Sequence, residues 1–546
     1  MPTHWANFVR WVRGDVRCAM RRASSDRSGC TVSIMRIILN FCRNRPIRGG
    51  RLVPMTLVAG IDSSTQATKV VLRDIDSGRL VASATSPHTP TNPPVSEQDP
   101  AAWWSALASC FGQLAEHAAQ IRAISVGAQQ HGLVLMSGSE VVRPAKLWND
   151  LTSSEQSERL VAAAGADWWA ATCGSVPVAS FTITKLAWFL EHERELAAAV
   201  DKVMLPHDYL TWRLTGEHVT DRGDASGTGW FDPSGNEYRS ELLGQAVDEP
   251  DTWLGRLPRV LRHDEAAATV TPAVAAELEL GPGAVVGPGS GDNMAAALGL
   301  GLRPSDIAIS IGTSGTVYAT SDTPTSDSTG TIAGFADATG NFLPLVCTVN
   351  AAKVTDAVAG WLGVAPERLS ELALAGIGED LGPVLVPYFD GERTPNLPDA
   401  TGSWGGLQSG TTREQLALSA FDGVVCGLLE GIDVLGARGV DTGGRTFLIG
   451  GGSQSPAYRR RVADLTGRVI VVPHDKQLVA SGAAVQAAAI LAAEPVDEVA
   501  QRWALGTGDA FEPELPTGHG LLRARYRDVR DRLFAAEPPL PAALNP

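Results

Sequence analysis

Two short stretches, half a chain apart, share one pattern: an apolar segment, a tip of small or polar residues, and a second apolar segment. The first is AGIDSSTQATKVVLRDI at residues 59–75, and the second is IAISIGTSGTVYAT at residues 307–320. Aliphatic and β-branched residues flank both tips, so each stretch predicts two strands joined as a hairpin. Serine, threonine and aspartate favour ordinary solvated turns, which would explain one such tip. The recurrence of the pattern instead predicts a duplicated unit.

A glycine-rich junction lies further along the second half of the chain. TFLIGGGSQSPAYRRRVADLTG, residues 446–467, predicts a strand, a turn at Gly450, Gly451 and Gly452, and a helix from Pro456 onward. Glycines between a strand and a helix let a ligand approach backbone N–H groups and the helix N-terminus, where phosphate groups bind. A single glycine run is weak evidence. Two hydroxyl-bearing hairpins followed by this junction indicate a phosphate or nucleotide site.

The length of the chain, 546 residues, exceeds what one hydrophobic core usually serves, so at least two domains are expected. Helices are predicted at residues 99–120, 206–217 and 521–536, the first of them capped by Asp99. The order of strands, hairpin and helix occurs twice, which predicts two related α/β domains with the ligand cleft between them.

The first 54 residues differ in charge from the rest of the chain. They hold 11 Arg and no Lys against two Asp, whereas the remainder carries 34 basic and 58 acidic residues. An arginine-rich, acid-poor start is typical of a transit peptide, or of untranslated sequence read through from an upstream start. Met55 directly precedes the first predicted strand. We therefore expect residues 1–54 to be a non-native or disordered extension and Met55 to be the functional start.

The charge and the cysteine content of the chain limit the classes of partner and the cellular location to expect. The acidic body argues against nucleic acid as a partner and gives no special affinity for anionic membranes. The seven cysteines include no C-x-x-C pair, so neither a disulfide framework nor a zinc site is predicted, and a reducing, cytoplasmic location is expected. The longest alanine-rich uncharged stretch, residues 478–493, predicts a buried helix and is too short to span a bilayer.

Longer segments carry a family resemblance. FTITKLAWFLEH (181–192) and GGGSQSPAYRRRVADLTG (450–467) resemble the two signatures of the FGGY carbohydrate kinases. Four further segments add to the match over residues 55–535: LPHDYLTWRLTGE, SGTGWFD, GSGDN and PYFDGERTP. The resemblance implies two ribonuclease-H-like ATPase domains of the actin and hexokinase type around a central cleft. It places a sugar- and phosphate-binding domain at residues 55–302 and a nucleotide-binding domain at residues 303–546.

The resemblance also implies an activity, the transfer of a phosphoryl group from ATP to a sugar, with Mg²⁺. The segments AQQHGLVL, LWND and SEQDPAAWW resemble those of the family members that act on D-xylulose, which implies D-xylulose as the sugar and D-xylulose 5-phosphate as the product. A kinase for another ketose or polyol, such as ribulose, fuculose or a sugar alcohol, is the alternative. Chaperones and filaments share the duplicated fold, but the sugar segment QQHG argues against them. A homodimer is left open.

Site residues follow from the same resemblance. Asp292 is expected to be the base that accepts the proton of the sugar hydroxyl. Asp62 is expected to act in catalysis as a Mg²⁺ ligand. Gln130, His131 and Asn293 are expected to bind the sugar.

The nucleotide and its phosphates are expected to contact the two hairpin tips and the glycine junction. The residues concerned are Ser64, Thr65, Gly312, Thr313, Gly451, Gly452 and Gln454. The first tip departs from the family pattern Asp-x-Gly-Thr, because Ser63 and Ser64 follow Asp62. Helical spacing predicts Lys185 and Trp188 as packing and surface residues, and no role is assigned to Arg393.

Overall fold

The two predicted hairpins form the centres of two seven-stranded sheets. The structure is a computed structural model that describes residues 55–378, 382–514 and 519–534. The predicted extension, residues 1–54, lies outside the described residues, and so do residues 535–546 at the end of the chain.

The strands of the first half are β1 (Leu57–Ser63), β2 (Ala67–Asp74), β3 (Leu80–Pro87), β4 (Glu97–Gln98), β5 (Ile121–Ala128), β6 (Val134–Ser137), β7 (Glu140–Val141), β8 (Ala145–Lys146), β9 (Lys202–Met204), β10 (Val219–Asp221), β11 (Phe231–Asp232), β12 (Glu237–Tyr238), β13 (Arg259–Leu261), β14 (Ala268–Thr269), β15 (Val285–Val286) and β16 (Ser290–Gly291). Those of the second half are β17 (Ile307–Ile311), β18 (Gly315–Ala319), β19 (Ile332–Ala336), β20 (Phe342–Thr348), β21 (Val384–Val386), β22 (Ser403–Gly405), β23 (Thr446–Ile449), β24 (Ile470–Pro473) and β25 (Gly508–Phe511).

The helices of the first half are α1 (Pro100–Gln113), α2 (Ala115–Ala118), α3 (Ser154–Ala164), α4 (Ala166–Cys173), α5 (Thr182–His192), α6 (Arg194–Ala197), α7 (Pro206–Thr215), α8 (Arg222–Ala225), α9 (Ser240–Leu243), α10 (Pro250–Leu254), α11 (Pro272–Glu277) and α12 (Asp292–Leu300). Those of the second half are α13 (Ala352–Leu362), α14 (Pro366–Ala375), α15 (Arg413–Ala437), α16 (Pro456–Thr466), α17 (Leu478–Ala492), α18 (Val496–Trp503) and α19 (His519–Phe534), with a 3₁₀ turn at Gly451–Gln454.

The two large sheets repeat one topology. In the first, the order β3-β2-β1-β5-β15-β14 begins with antiparallel pairs, continues with parallel pairs from β1 to β5 and β15, and ends on antiparallel β14. In the second, β20-β18-β17-β23-β24-β25 follows the same sequence of pairings, with β19 added beyond β20. The repeated order confirms the predicted fold class of duplicated α/β sheets.

Helix α17 joins the two halves. It packs against β1, β5 and α12 of the first half, although it lies near the end of the chain. Glycines make this packing close. A Cβ atom on Gly60 of β1 would lie 1.8 Å from the carbonyl oxygen of Ala480, and one on Gly482 would lie 1.8 Å from that of Ala295 in α12. The prediction of a buried alanine-rich helix is therefore confirmed.

Some local predictions differ from the structure. Strand β1 continues through Ser63, so Asp62 and Ser63 are strand residues and the turn itself spans residues 64–66. The helix predicted at residues 99–120 ends at Gln113, and the short α2 follows it. Strand β6 pairs with β7 and β9 in a small separate sheet. Within the described ranges, we find no helix that is both long and apolar enough to cross a membrane.

Candidate active site

Three strands of the first sheet end side by side and bring the predicted acidic residues to one edge. Asp62 pairs with Gly127 across β1 and β5, and Gly291 pairs with Ala128 across β16 and β5. The carboxyl ends of parallel strands point the same way, which is where α/β sheets bind ligands. Asp292 directly follows β16, at the edge where Asp62 lies.

Asp292 is the first residue of helix α12, with Gly291 as the N-cap. Its Oδ1 accepts hydrogen bonds from the Asn293 backbone N–H at 2.8 Å and from Asn293 Nδ2 at 2.9 Å. Burial, and then the negative charges of Asp62 and Asp224, raise the pKa of Asp292 to about 7. A carboxylate with a pKa near neutral pH is well matched to accepting a proton from an alcohol.

Asp62 is buried and forms an ion pair with Lys69, 3.2 Å between Oδ2 and Nζ. Burial raises its pKa, although the Lys69 ammonium opposes the shift. In the described ranges, no cluster of three or more His, Cys, Asp or Glu side chains is arranged to hold a metal ion. Mg²⁺ usually takes only one or two carboxylates and completes its shell with water and substrate phosphate oxygens. Asp62, with Asp292 close enough to feel its charge, therefore fits such a partial ligand set.

Gln130 offers an unused donor at this edge. Its Oε1 accepts a hydrogen bond of 2.9 Å from Asn293 Nδ2, which links two predicted sugar residues. Its Nε2 is buried and has no hydrogen-bond partner among the described residues. A buried donor without an acceptor is costly, so this amide is suited to receive a ligand oxygen.

His131 adopts a left-handed backbone conformation, with φ of 64°. Its Nδ1 lies 2.8 Å from the Gly227 carbonyl oxygen, which can only accept, so Nδ1 carries the proton. The ring stacks on Phe181 with centroids 5.1 Å apart. Burial, and then the nearby charges of Lys185 and Arg393, lower the pKa of His131 to about 3. The imidazole is thus neutral and presents Nε2 as an acceptor.

A buried acidic cluster, not singled out from the sequence, lies next to these residues. His207 Nδ1 is 2.9 Å from Asp224 Oδ2, and its Nε2 is 3.0 Å from Asp208 Oδ1 and 3.5 Å from Asp221 Oδ1. The surrounding carboxylates outweigh burial and raise the pKa of His207 to about 9. The segments PHD and TDRGD contain these residues, but only the fold shows that they meet.

The tip of the first hairpin is held by neighbours from other segments. Thr65 Oγ1 donates to Gln129 Oε1 at 2.9 Å and accepts from Trp148 Nε1 at 3.0 Å. Ser64 Oγ donates to the Ala67 carbonyl oxygen at 3.0 Å. Gln129 and Trp148 were not predicted as site residues, although they lie in AQQHGLVL and LWND, two of the segments from which the sugar was inferred.

The other residues predicted to contact the nucleotide lie at the corresponding edge of the second sheet. Strands β17 and β23 are parallel neighbours, so the tip at Gly312 and Thr313 lies beside the glycine junction. A Cβ atom on Gly452 would lie 2.4 Å from Ile311 Cγ2, whereas Gly451 has no atom within 4 Å of such a position. The backbone at Gly451 is therefore open to a ligand. Gln454 closes the 3₁₀ turn and donates to Ser453 Oγ at 3.3 Å.

The two groups of residues are linked through Asp292. Its charge raises the pKa of Tyr318 in β18 and contributes to the raised pKa of Cys347 in β20, after burial in both cases. Asp292 therefore lies close to the second sheet. No hydrogen bond or ion pair among the described residues joins Asp62 or Asp292 to Gly312 or Gly451. The roles assigned to all these residues stay predictions.

Lys185, which helical spacing predicts as a packing or surface residue, belongs to the packed interior. It is fully buried, and its Nζ donates to the carbonyl oxygens of Ala179, Ser180 and Phe181. Burial lowers its pKa well below the usual value. A lysine four residues from both Phe181 and Phe189 lies on the apolar face of helix α5, which was the sequence signal for its burial.

A cavity of about 600 Å³ lies elsewhere, among helices α3 and α5 and residues 245–256. Its walls include Gln156, Arg159 and Trp253, and none of the predicted site residues lines it. The candidate site is therefore assigned to the two sheet edges, where the predicted residues lie, and not to this cavity.

The fold pairs two α/β sheets of one topology, with the predicted site residues at one edge of each sheet. The N-terminal domain model of the FGGY family of carbohydrate kinases matches residues 57–299, and its C-terminal domain model matches residues 307–491. The chain belongs to the FGGY family of carbohydrate kinases.

Within this family, the chain is similar to xylulose kinases. A xylulose kinase of Streptomyces rubiginosus is 47% identical over 458 residues, which cover 84% of this chain and 92% of the relative. The xylulose kinase of Escherichia coli strain K12 is 34% identical over 418 residues, covering 75% and 84%. The crystal structure of xylulose kinase from Bifidobacterium adolescentis is 38% identical, with a TM-score of 0.78 over 87% of this chain and 99% of that one.

Proposed function

We propose that this protein phosphorylates D-xylulose with ATP and releases D-xylulose 5-phosphate and ADP. The observation that carries the proposal is Asp292, a half-buried carboxylate at the start of α12 whose pKa is raised to about 7 and which is linked through Asn293 to Gln130, with its unpaired Nε2. The similarity to xylulose kinases supports the choice of sugar.

The sugar would lie along the first sheet edge. Gln130 Nε2 would donate to one sugar oxygen, and His131 Nε2 would accept a hydrogen bond from a hydroxyl. Asn293 holds both Asp292 and Gln130, so it would keep the base and the sugar-binding amide in one arrangement. Asp292 would accept the proton of the primary hydroxyl as that oxygen attacks the γ-phosphate.

The nucleotide would lie along the second sheet edge. Backbone N–H groups at the tip of Gly312 and Thr313 and at the junction of Gly451 and Gly452 would bind phosphate oxygens. The hydroxyls of Ser64 and Thr65 would reach the same phosphates from the first hairpin. Gln454 would contact the nucleotide at the end of the 3₁₀ turn.

We propose that Mg²⁺ accompanies ATP and is held by Asp62, directly or through water. The ion would neutralise charge on the transferred phosphate. A cytoplasmic location, where ATP and a reducing environment are available, agrees with the free thiols of Cys110, Cys173, Cys347 and Cys426.

A panel of sugars tests the proposal. The full chain is assayed for ADP release with D-xylulose, ribulose, fuculose and sugar alcohols, and the product is identified by NMR. We expect D-xylulose to have the highest kcat/KM and the phosphate to be on C5. A higher kcat/KM for another ketose or a polyol would replace D-xylulose as the substrate, and ADP release independent of any sugar would refute the kinase assignment.

A further inference from the structure

One cation at the candidate site belongs to the second half of the chain and points at the first. Arg393 lies beside the end of strand β20, and hydrogen bonds made by the residues before and after it fix its backbone. Glu392 accepts hydrogen bonds from the backbone N–H groups of Val349 and Arg393, both at 2.7 Å. Thr394 Oγ1 donates to the Cys347 carbonyl oxygen at 2.7 Å. The Arg393 side chain therefore extends from a backbone that these hydrogen bonds hold in place.

The guanidinium of Arg393 reaches across to the first half. Its Nη2 donates to Ser180 Oγ at 3.1 Å. Among the described residues, no carboxylate lies within 4.0 Å of it. Arginine is usually paired with a carboxylate or phosphate when it is partly buried, so this guanidinium retains donors for a ligand.

The loop that receives Arg393 is held firmly. Lys185 caps the carbonyl oxygens of Ala179, Ser180 and Phe181, and Thr184 Oγ1 donates to the Phe181 carbonyl oxygen at 2.8 Å. Phe181 in turn stacks on the His131 ring. Arg393 therefore lies near His131, because it contacts Ser180 while the adjacent Phe181 stacks on the imidazole, and its charge acts on the His131 ring.

The two side chains are chemically complementary. His131 Nε2 is an acceptor, because the ring is neutral and its proton is on Nδ1. Arg393 can only donate. A hydroxyl group both donates and accepts, so a sugar hydroxyl between them satisfies both partners.

We propose that Arg393 is a specificity-determining residue that binds the C1 hydroxyl and C2 carbonyl end of the sugar, together with His131. The position of Arg393 relative to the base Asp292 supports its assignment to the C1–C2 end of the sugar. Arg393 contacts Ser180, and the adjacent Phe181 stacks on the His131 ring. Asp292 is instead hydrogen-bonded to Asn293, which also bonds Gln130. We therefore place Arg393 at the His131 end of the sugar and the base at the end that carries the C5 hydroxyl.

This inference rests on the proposed function, and its test compares two sugars. D-xylulose and 1-deoxy-D-xylulose differ only in the C1 hydroxyl. The parent chain should prefer D-xylulose. Arg393→Gln should raise the KM for D-xylulose on the order of 10- to 100-fold, the range for losing a hydrogen bond to a charged group, and should abolish the preference. The KM for ATP should change less than about threefold in the same variant, since the nucleotide lies elsewhere.

Three controls separate recognition from structure. Arg368→Gln removes an exposed arginine of the same half, which pairs with Glu371 at 2.6 Å, and should keep the parent's preference. Arg393→Lys keeps the charge without the fork and should recover part of the preference. Ser180→Ala breaks the observed contact and should also keep the preference. Equal losses for both sugars in Arg393→Gln, or the same loss of preference in Ser180→Ala, would overturn the proposal. A parent chain inactive on D-xylulose would instead refute the proposed function.

Discussion

At the scale of single residues, the site depends on negative charges held close together in a buried place. Asp62 and Asp224 are buried, Asp292 is half-buried, and the charges of the first two raise the pKa of the third. Like charges in a region of low dielectric disfavour one another's ionised forms. The same arrangement that costs stability gives Asp292 the basicity that proton transfer needs.

The first prediction concerns this base. Asp292→Asn keeps the size of the side chain but removes the basic oxygen. We expect kcat to fall about 10²- to 10⁴-fold, with sugar and ATP affinities by calorimetry changed little. Asp62→Asn serves as the contrast, because it should raise the Mg²⁺ concentration needed for half-maximal rate. Turnover within a few-fold of the parent in Asp292→Asn would remove it from the catalytic role.

The second prediction concerns pH. Asp292 is active when deprotonated and its pKa is raised to about 7, so kcat/KM should fall as the pH drops through that value. Asp224→Asn removes one of the charges that raise this pKa, so the acid limb should move to lower pH. The exposed Asp76→Asn provides the matched control and should leave the limb in place. An unmoved limb in Asp224→Asn would mean that another group titrates.

The third prediction concerns His131. His131→Ala removes a neutral acceptor on the sugar side of the site and should raise the KM for D-xylulose by at least tenfold. Nucleotide affinity should hold, because the glycine junction is on the other sheet edge. Calorimetry with ATP and steady-state kinetics with the sugar distinguish the two. A loss of ATP affinity with unchanged sugar KM would contradict the assignment.

At the scale of elements, glycine contacts between helices set where the base lies. Helix α12 begins at Asp292 and packs on α17 through Gly299 and Gly482. A Cβ atom on Gly299 would lie 2.2 Å from the Leu478 carbonyl oxygen. The two helix backbones are thus too close for any larger residue at the contact.

The fourth prediction tests this contact. Gly482→Ala should push α12 away from α17, lower the free energy of unfolding by ~1–3 kcal/mol, and reduce kcat by up to about 10²-fold because Asp292 moves. Gly436→Ala, in α15 with no atom within 4 Å, should leave kcat unchanged and stabilise the chain slightly. Thermal unfolding and kinetics of both variants decide. Equal behaviour of the two would show that the contact does not position the base.

The strands and helices around the site were predicted from local sequence patterns, but their arrangement in the folded protein was not. The hairpins, the glycine junction and the helix at Pro456 follow from strand periodicity and turn residues. Register is a long-range property, so only the structure places Gly291 beside Ala128 and Asp292 near Asp62. The role of Arg393 was not predicted for the same reason, since its partner Ser180 is 213 residues away in the chain. Lys185 is different, because its partners are carbonyl oxygens only four to six residues away and its place on the apolar face of α5 could be read from the sequence.

At the scale of the whole molecule, the charge asymmetry of the sequence leads to the fifth prediction. Residues 1–54 lack a periodic apolar face with which to dock on the acidic body. A chain starting at Met55 should therefore retain the kcat and melting temperature of the full chain. Calorimetric melting and the ADP assay on both forms make the comparison. A fall of more than a few degrees, or of severalfold in kcat, would show that the extension contributes to the fold.

Helix α17 has a consequence for how the protein is made. The ribosome completes β1 and β5 early, but the helix that covers Gly60 emerges only when the chain is nearly finished. Until then the nascent first sheet keeps an uncovered apolar side, which is the condition under which partly made chains bind chaperones or aggregate. We therefore expect the first half to complete its packing only after α17 has emerged, and a chain that stops before Leu478 to leave β1 and β5 without the helix that covers them.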